Sequence, residues 1–304
     1  MKAVTVNELV KNYGTPKAPV KALQGVSFEV SKGELFGLIG PDGAGKTSLF
    51  RILTTLLLPD GGSAVVDGLD VVKDFKAIRK RVGYMPGRFS LYQDLTVEEN
   101  LEFFATIFNT TVRENYELVK DIYDQIAPFK DRKAGKLSGG MKQKLALSCA
   151  LIHRPSVLFL DEPTTGVDAV SRKEFWDMLK KLKQQGITIL ASTPYMDEAS
   201  LCDRVALIQE GKLLSVNTPA GVISEFGKPL LAAKAGNMLQ LLDELKSLPV
   251  VHDAYPFGEY HHVVLKQDGD EEALRAGLKS HGQDAELVPV TPDIEDCFMA
   301  LMKN

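Results

Sequence analysis

The chain has 304 residues, about twice the usual single-domain length, and its 44% apolar fraction is ample for a core. Its 36 Lys and Arg face 40 Asp and Glu, a formal net charge of −4, which argues against a broad nucleic-acid-binding surface and leaves nucleic acid out of the expected partners. Cys149, Cys202 and Cys297 lie far apart and have neither disulfide-framework nor metal-type spacing, which fits a reducing cytosol.

The opening MKAVTVNELVK alternates like a strand and lacks the apolar centre of a secretion signal. Strands are expected at 3–10, 26–30 and 35–39, with a turn at Ser31-Lys32-Gly33. A Gly-rich loop follows Gly40, then a helix over about 46–57 that stops near Pro59. Short strands follow at 64–66 and 82–85. Thr96 to Glu99 reads as a capping box opening a helix to about Phe108. Further helices are expected over 112–126 and from Ser138 to just before Pro155.

Strands and helices then alternate: strand 157–160, helix 169–185, strand 188–192, helix 195–201, strand 204–209. This order predicts a mostly parallel α/β sheet with covering helices and an inserted helical lobe at about 87–155. The pattern changes near Gly227-Lys228-Pro229. Beyond it the order is strand 230–234, helix 236–247, strands 249–255 and 259–266, helix 270–280, strand 284–290 and helix 292–302. That βαββαβ order plus a closing helix predicts a small α+β ferredoxin-like domain over 227–304, after a first domain of 1–226. No apolar run approaches the roughly 18 residues of a membrane-spanning helix.

GPDGAGKT, Gly40 to Thr47, fits G-x-x-x-x-G-K-[ST] between an apolar strand and a helix. Glycines let successive backbone N–H groups curl around an anion, and the helix N-terminus adds its dipole. Gly40, Pro41, Asp42, Gly43, Ala44, Gly45, Lys46, Thr47 and Ser48 are therefore the candidate phosphate-binding residues. Lys46 supplies a point charge for the β- and γ-phosphates, and Thr47 offers a hydroxyl to Mg²⁺. VLFLDE, Val157 to Glu162, ends a buried strand in an acidic pair. Asp161 is placed to hold Mg²⁺ and Glu162 to polarise an attacking water.

LSGGMKQK, Leu137 to Lys144, opens a helix between these two motifs, and in that order it resembles the signature of ABC-type ATPases. The resemblance covers about residues 3–225 and implies a P-loop NTPase core of ABC type, with a mixed sheet and a helical signature subdomain, that binds ATP with Mg²⁺. In that family two such domains meet head to tail, so Ser138, Gly139 and Gly140 would close in trans over the partner's nucleotide. Tyr13 matches the aromatic that stacks on adenine, and Gly166-Val167-Asp168 matches the loop that touches the opposite site. TPDIEDCFMALMKN resembles the close of the small C-terminal domain in bacterial exporter ATPase subunits, whose permease is a separate chain. The implied protein is cytoplasmic and peripheral on the inner face of the membrane, with a multi-span permease and a second ATPase domain as partners.

Two positions depart from the family pattern. Gly87 stands where a glutamine reaches Mg²⁺ and the attacking water. Pro194 stands where a histidine contacts the γ-phosphate, and it has neither a side-chain donor nor an N–H. Ser192 and Thr193 carry hydroxyls but need a new geometry to substitute. The expected activity is export-coupled ATP hydrolysis that is slow at the chain's own site. This favours a heteromeric pair in which a complete partner carries turnover. The alternatives are an essentially non-hydrolysing regulatory subunit and a soluble ATPase of repair or ribosome type. Against the last, there is one ATPase domain and no sustained heptad pattern. The loop from Arg88 to Leu95, with Phe89, Leu91 and Tyr92, is apolar enough to receive a permease helix. His261-His262 lies on an alternating strand, so the pair points to opposite faces and does not make a metal pair.

Overall fold

The computed structural model describes residues 1–15, 17–282 and 284–302. Lys303 and Asn304, which end the tail stretch, lie outside them. The chain forms two compact units, Met1–Pro219 and Ala220–Asn304.

In the first unit, β1 (Lys2–Thr15) and β2 (Ala18–Ser31) make a long antiparallel hairpin. β3 (Leu35–Ile39) leads into α1 (Lys46–Leu53), followed by β4 (Gly61–Val66), β5 (Leu69–Asp70), the short α2 (Phe75–Ile78) and β6 (Val82–Met85). The helical lobe contributes α3 (Val97–Ile107), α4 (Val112–Tyr123) and α5 (Gly139–Leu151). The chain then returns to the sheet through β7 (Val157–Asp161), α6 (Ala169–Gln184) and β8 (Thr188–Thr193). A 3₁₀ turn (Met196–Leu201), β9 (Arg204–Gln209) and β10 (Lys212–Asn217) complete the unit.

The central sheet has the order β10-β9-β3-β8-β7-β6 and is parallel except for the β10 edge, so it is mixed as expected. Its inner strands read as continuous apolar runs because both faces are covered. Every residue of β3, LFGLI, and of β7, VLFLD, is buried. Gly37 in β3 has a packing reason: a Cβ there would stand 2.8 Å from Cys202 Sγ. A second sheet, β2-β1-β4-β5, is antiparallel and buries Val4, Val6, Leu9, Val30 and Val66 against α1 and the central sheet. Thr96 and Glu99 form the expected capping box of α3, and Thr111 and Glu114 make another at α4 that sequence reading did not mark.

Three expectations shift. The 46–57 helix ends at Leu53, because Thr55 is left-handed at φ 63° and the chain closes as a Schellman turn. Leu56 N donates to Arg51 O at 2.7 Å and Thr55 N to Ile52 O at 3.0 Å. The strands expected at 3–10 and 26–30 extend through Tyr13-Gly14 and back from Ala18. This hairpin end is largely exposed, and there Pro and Gly are tolerated. The 195–201 segment is 3₁₀ rather than α.

The second unit includes most of α7 (Pro219–Ser224), which lies ahead of the Gly227 turn; Phe226 packs with Leu230, Tyr255 and Val264. There follow β11 (Leu230–Lys234), α8 (Met238–Ser247), β12 (Val251–Phe257), β13 (Tyr260–Leu265), α9 (Asp270–Ser280), β14 (Glu286–Pro289) and α10 (Ile294–Leu301). The sheet order β12-β13-β11-β14, antiparallel throughout, is that of the split βαβ arrangement. α8 and α9 share one core with Leu231, Ala233, Val263 and Leu265.

Candidate functional site

β8 lies between β3 and β7, with Ile39 paired to Thr193 and Asp161 to Ser192. The carboxyl ends of three adjacent parallel strands therefore deliver Gly40, Asp161 and Pro194 to one edge of the sheet, where open α/β sheets bind ligands. The Gly-rich loop is close-fitted there. A Cβ on Gly40 would meet Ile208 O at 2.1 Å, and one on Gly45 would meet Ala22 O at 2.2 Å with φ already at 103°. Only glycine satisfies both positions. Ala44 is buried and accepts from Gly211 N at 3.0 Å, whereas Asp42 and Gly43 are exposed at the loop's tip and Pro41 is half-buried.

Lys46 is 3% exposed. Its ammonium donates to Gly40 O at 2.7 Å and Pro41 O at 2.9 Å and pairs with Glu162 at 3.1 Å. These contacts occupy its three donors and hold the charge between the loop carbonyls and the acidic pair. Thr47 Oγ1 donates to Asp161 Oδ1 at 3.2 Å, and Ser192 Oγ donates to the same oxygen at 2.9 Å. Ser192 Oγ also accepts from Glu162 N at 3.0 Å. Burial pushes Asp161 above the ordinary carboxylate range, and the Ser192 and Thr47 hydrogen bonds only partly offset it. Tyr84, flanked by Asp161 and Arg51, is pushed up to about 12, chiefly by burial and then by the neighbouring carboxylate. A hydroxyl and a buried carboxylate 3.2 Å apart are an oxygen donor pair suited to a hard divalent cation. Tyr13 reaches the same region: its hydroxyl lies 3.1 Å from Ser48 Oγ, the residue is 39% exposed, and the Lys11 ammonium lies 5.8 Å from the centre of its ring.

The two departures fall on this edge. A Cβ on Gly87 would sit 3.0 Å from Asp161 O and 3.7 Å from Glu162 Cβ, so a side chain at this position would start beside the acidic pair. Pro194 follows Thr193, whose carbonyl accepts from Gly40 N at 3.3 Å. The neighbouring hydroxyls are committed elsewhere, Ser192 to Asp161 and Thr193 Oγ1 to Glu198 at 2.5 Å.

Ser138, Gly139 and Gly140 gather at a different corner. Ser138 caps α5 and accepts from Met141 N at 3.4 Å. A Cβ on Gly140 would stand 2.8 Å from Ser171 Oγ, and one on Gly139 would stand 3.6 Å from Gly166 O. Lys144 pairs with Glu174 on α6 at 2.8 Å. The structure thus brings the signature to the Gly166–Asp168 turn, and gives it no described contact with the Gly-rich loop of its own chain.

Sequence reading missed Tyr84, Arg172 and Glu198. Glu198 is 2% exposed and accepts from Thr164, Thr193 and Arg172. Its signal in the sequence is weak, because an acidic residue in a short polar helix ordinarily reads as solvated. In the second unit, His261 Nε2 lies 2.7 Å from Met238 O, and His262 Nδ1 lies 2.6 Å from Asp296 Oδ1. The two rings serve opposite faces of β13.

A family model described as ABC transporter matches residues 23–165. The chain is 39% identical over 305 aligned residues to "Probable multidrug ABC transporter ATP-binding protein YbhF" of Escherichia coli K12. That match covers 98% of this chain and 52% of the relative, so the chain spans about half its length. It is 40% identical to a "Nod factor export ATP-binding protein I" of Burkholderia thailandensis, covering 92% of this chain and 91% of that one. Among solved structures it resembles cbiO1 from Clostridium perfringens, part of the transporter complex cbiONQ, with TM-score 0.64 and 27% identity over 74% of this chain and 91% of that one.

Proposed function

The chain belongs to the ATP-binding proteins of ABC transporters, and from that premise we propose that it binds ATP with Mg²⁺ at the Gly40–Ser48 loop and couples it to export through a membrane permease. The convergence of Lys46, Thr47, Asp161 and Glu162 on the edge where Gly40 leaves β3 carries this reading. Backbone N–H groups of the loop and the N-terminus of α1 face the phosphates, with Lys46 as the point charge. Thr47 and Asp161 supply oxygen ligands to Mg²⁺. Bound Mg²⁺ neutralises phosphate charge, and Glu162 orients and accepts a proton from water. Tyr13 stacks on the base.

Ser138, Gly139 and Gly140 serve the nucleotide of a second ATPase domain. A heteromeric pair is favoured, because Gly87 and Pro194 leave this chain's own site short of two contacts. None of the described helices is long and apolar enough to cross a membrane; association with the membrane through a permease follows from the family reading. A cavity of about 250 Å³ between β6 and the helical lobe, lined by Tyr84, Pro86, Leu91, Phe104, Phe108 and Cys149, supports permease docking there. Within the 88–95 loop, Leu91 is buried in this lining, and Tyr92 stays 51% exposed at the surface. The second unit acts in regulation or dimerisation.

A fluorescent ATP analogue titrated with Mg²⁺ tests the reading. The chain should saturate, and Lys46→Ala should lose most of the affinity while Glu117→Ala, on the exposed face of α4, should not. A chain that shows no saturable binding would refute it. One observation favours a non-hydrolysing regulatory subunit: the backbone next to Asp161 carries no side chain at Gly87. In that case binding persists, and no phosphate is released even with a complete partner present.

A further inference from the structure

The least expected group near the sheet edge is a carboxylate with almost no access to water. Glu198 is 2% exposed, and a charge there is sustained only by pairing and hydrogen bonds. Its partners come from three segments. Arg172 Nε donates at 3.1 Å, Thr164 Oγ1 at 2.9 Å and Thr193 Oγ1 at 2.5 Å. Arg172 in turn gathers the turn that follows Pro194. Its Nη2 reaches Asp197 at 3.0 Å, and its guanidinium lies 4.1 Å from the centre of the Tyr195 ring.

Each of these segments bears a position assigned above to nucleotide chemistry. Thr164 lies two residues beyond Glu162 in the sequence. Arg172 is on the first turn of α6, whose cap is Asp168, accepting from Val170 N at 3.1 Å and Ser171 N at 3.0 Å. Displacing Gly166–Asp168 therefore displaces Arg172. Thr193 ends the strand whose carbonyl holds Gly40 N at 3.3 Å. Pro194 has a fixed φ and no N–H, so its own backbone donates nothing to hold this tip. Beyond the strand pairing, the tip is held by Tyr195 N donating to Thr193 Oγ1 at 3.0 Å, and from outside the segment by Glu198 on Thr193 and Arg172 on the Tyr195 ring.

We propose that Arg172 and Glu198 are positioning residues that fix the Thr193–Tyr195 tip and the Glu162–Asp168 connection for recognition of the γ-phosphate, in the chain's version of a site without the histidine. This rests on the ATP-binding reading above. It predicts a larger effect on the terminal phosphate than on the rest of the nucleotide, because neither residue has a described contact with the Gly-rich loop, Lys46 or Tyr13, and the links to Gly40 and Lys46 run only indirectly through Thr193 and Glu162.

The experiment compares fluorescent ATP and ADP analogues, each with Mg²⁺, on the full chain and on Glu198→Gln and Arg172→Lys, with melting temperatures alongside. Wild type should prefer ATP. In Glu198→Gln, ADP affinity should stay within about twofold while ATP affinity falls about tenfold, the order expected for losing one charged hydrogen-bond network. Arg172→Lys, which keeps the charge and loses the fork and the flat face over Tyr195, should lie between. Variants that melt like wild type and keep its ATP-to-ADP ratio would overturn the proposal. So would equal losses for both nucleotides, or a wild type that binds both equally. A wild type that binds neither nucleotide refutes the ATP-binding reading itself. If Glu198→Gln does not fold, Thr164→Val and Arg172→Lys carry the same comparison, since each leaves Glu198 its other partners.

Discussion

Replacing Gly87 by glutamine should raise ATP turnover by the chain about 10- to 100-fold. The gain comes from restoring an oriented amide beside the attacking water, and one such transition-state donor commonly contributes about 2.7–4 kcal/mol. The cost is read from the backbone. The new Cβ would lie 3.0 Å from Asp161 O, so the loop must yield by a few tenths of an ångström. Gly87 is exposed and is not in the left-handed region, so there is no added backbone strain, and roughly 1 kcal/mol is a fair charge for the crowding. The remaining ~1.7–3 kcal/mol corresponds to roughly one to two decades of rate. The assay is steady-state phosphate release at saturating Mg-ATP across a series of chain concentrations, because the complete site is expected to need a second domain. Gly87→Ala is the control, since it carries the same Cβ crowding and no amide, and should not rise. Adding Pro194→His should raise the rate further but less than multiplicatively, since residues around one phosphate act as a unit. If Gly87→Gln turns over no faster than wild type or Gly87→Ala, the assignment of this loop to the attacking water fails.

Two other outcomes follow from the same geometry. Burial raises the Asp161 pKa in the folded chain, so the native state binds that proton more tightly than the unfolded state does. Stability therefore falls as pH rises from the ordinary carboxylate range through the raised value. Asp161→Asn, which can still accept from Thr47 and Ser192, should stabilise the chain without nucleotide by about 0.5–2 kcal/mol at neutral pH. Thermal melts should show that gain vanishing in acid, and the variant should lose the rise in melting temperature that Mg-ATP gives wild type. Tyr13→Ala should weaken nucleotide binding by ~1–3 kcal/mol through lost stacking, while Tyr13→Phe, which loses only the 3.1 Å contact to Ser48, should bind nearly as wild type in a fluorescence titration. A Phe variant as weak as the Ala variant would show that the hydroxyl, and not the ring, matters.

The Gly-rich loop and the acidic strand end were legible in the sequence because their chemistry is local. Glycines at fixed offsets and a carboxylate at the end of an apolar run announce themselves without any knowledge of neighbours. Residues of the Glu198 group were not legible, since their meaning lies in long-range partners such as Thr164 and Arg172. Burial of Glu198 cannot be read from MDEAS, a stretch that looks solvated. The early stop of α1 escaped for a related reason. Leu56-Leu57-Leu58 continues the apolar pattern, yet Arg79 holds Thr55 through both its hydroxyl and its carbonyl at 2.8 Å, and the helix closes there. The hairpin of β1 and β2 was truncated in the reading because Gly14 and Pro19 ordinarily punctuate strands, and on an exposed strand end they do not.

The placement of the departures bears on how the chain works. Gly87 and Pro194 stand beside Asp161 and Gly40, whereas Ser138–Gly140 pack on the turn of Gly166 and on Ser171. The signature corner is tightly built: even a methyl on Gly140 would press on Ser171 Oγ at 2.8 Å. Loss of two side chains at the first corner therefore leaves the geometry of the second intact. On the reading proposed above, such a chain would lose speed at its own nucleotide while still closing over a partner's, as a division of binding and turnover between two unlike subunits requires. The Arg172–Glu198 pair is the physical link between the corners, because α6 carries Ser171 to one and Arg172 to the other. On the reading proposed above, this pair would be one route by which a change at a partner's nucleotide reaches this one.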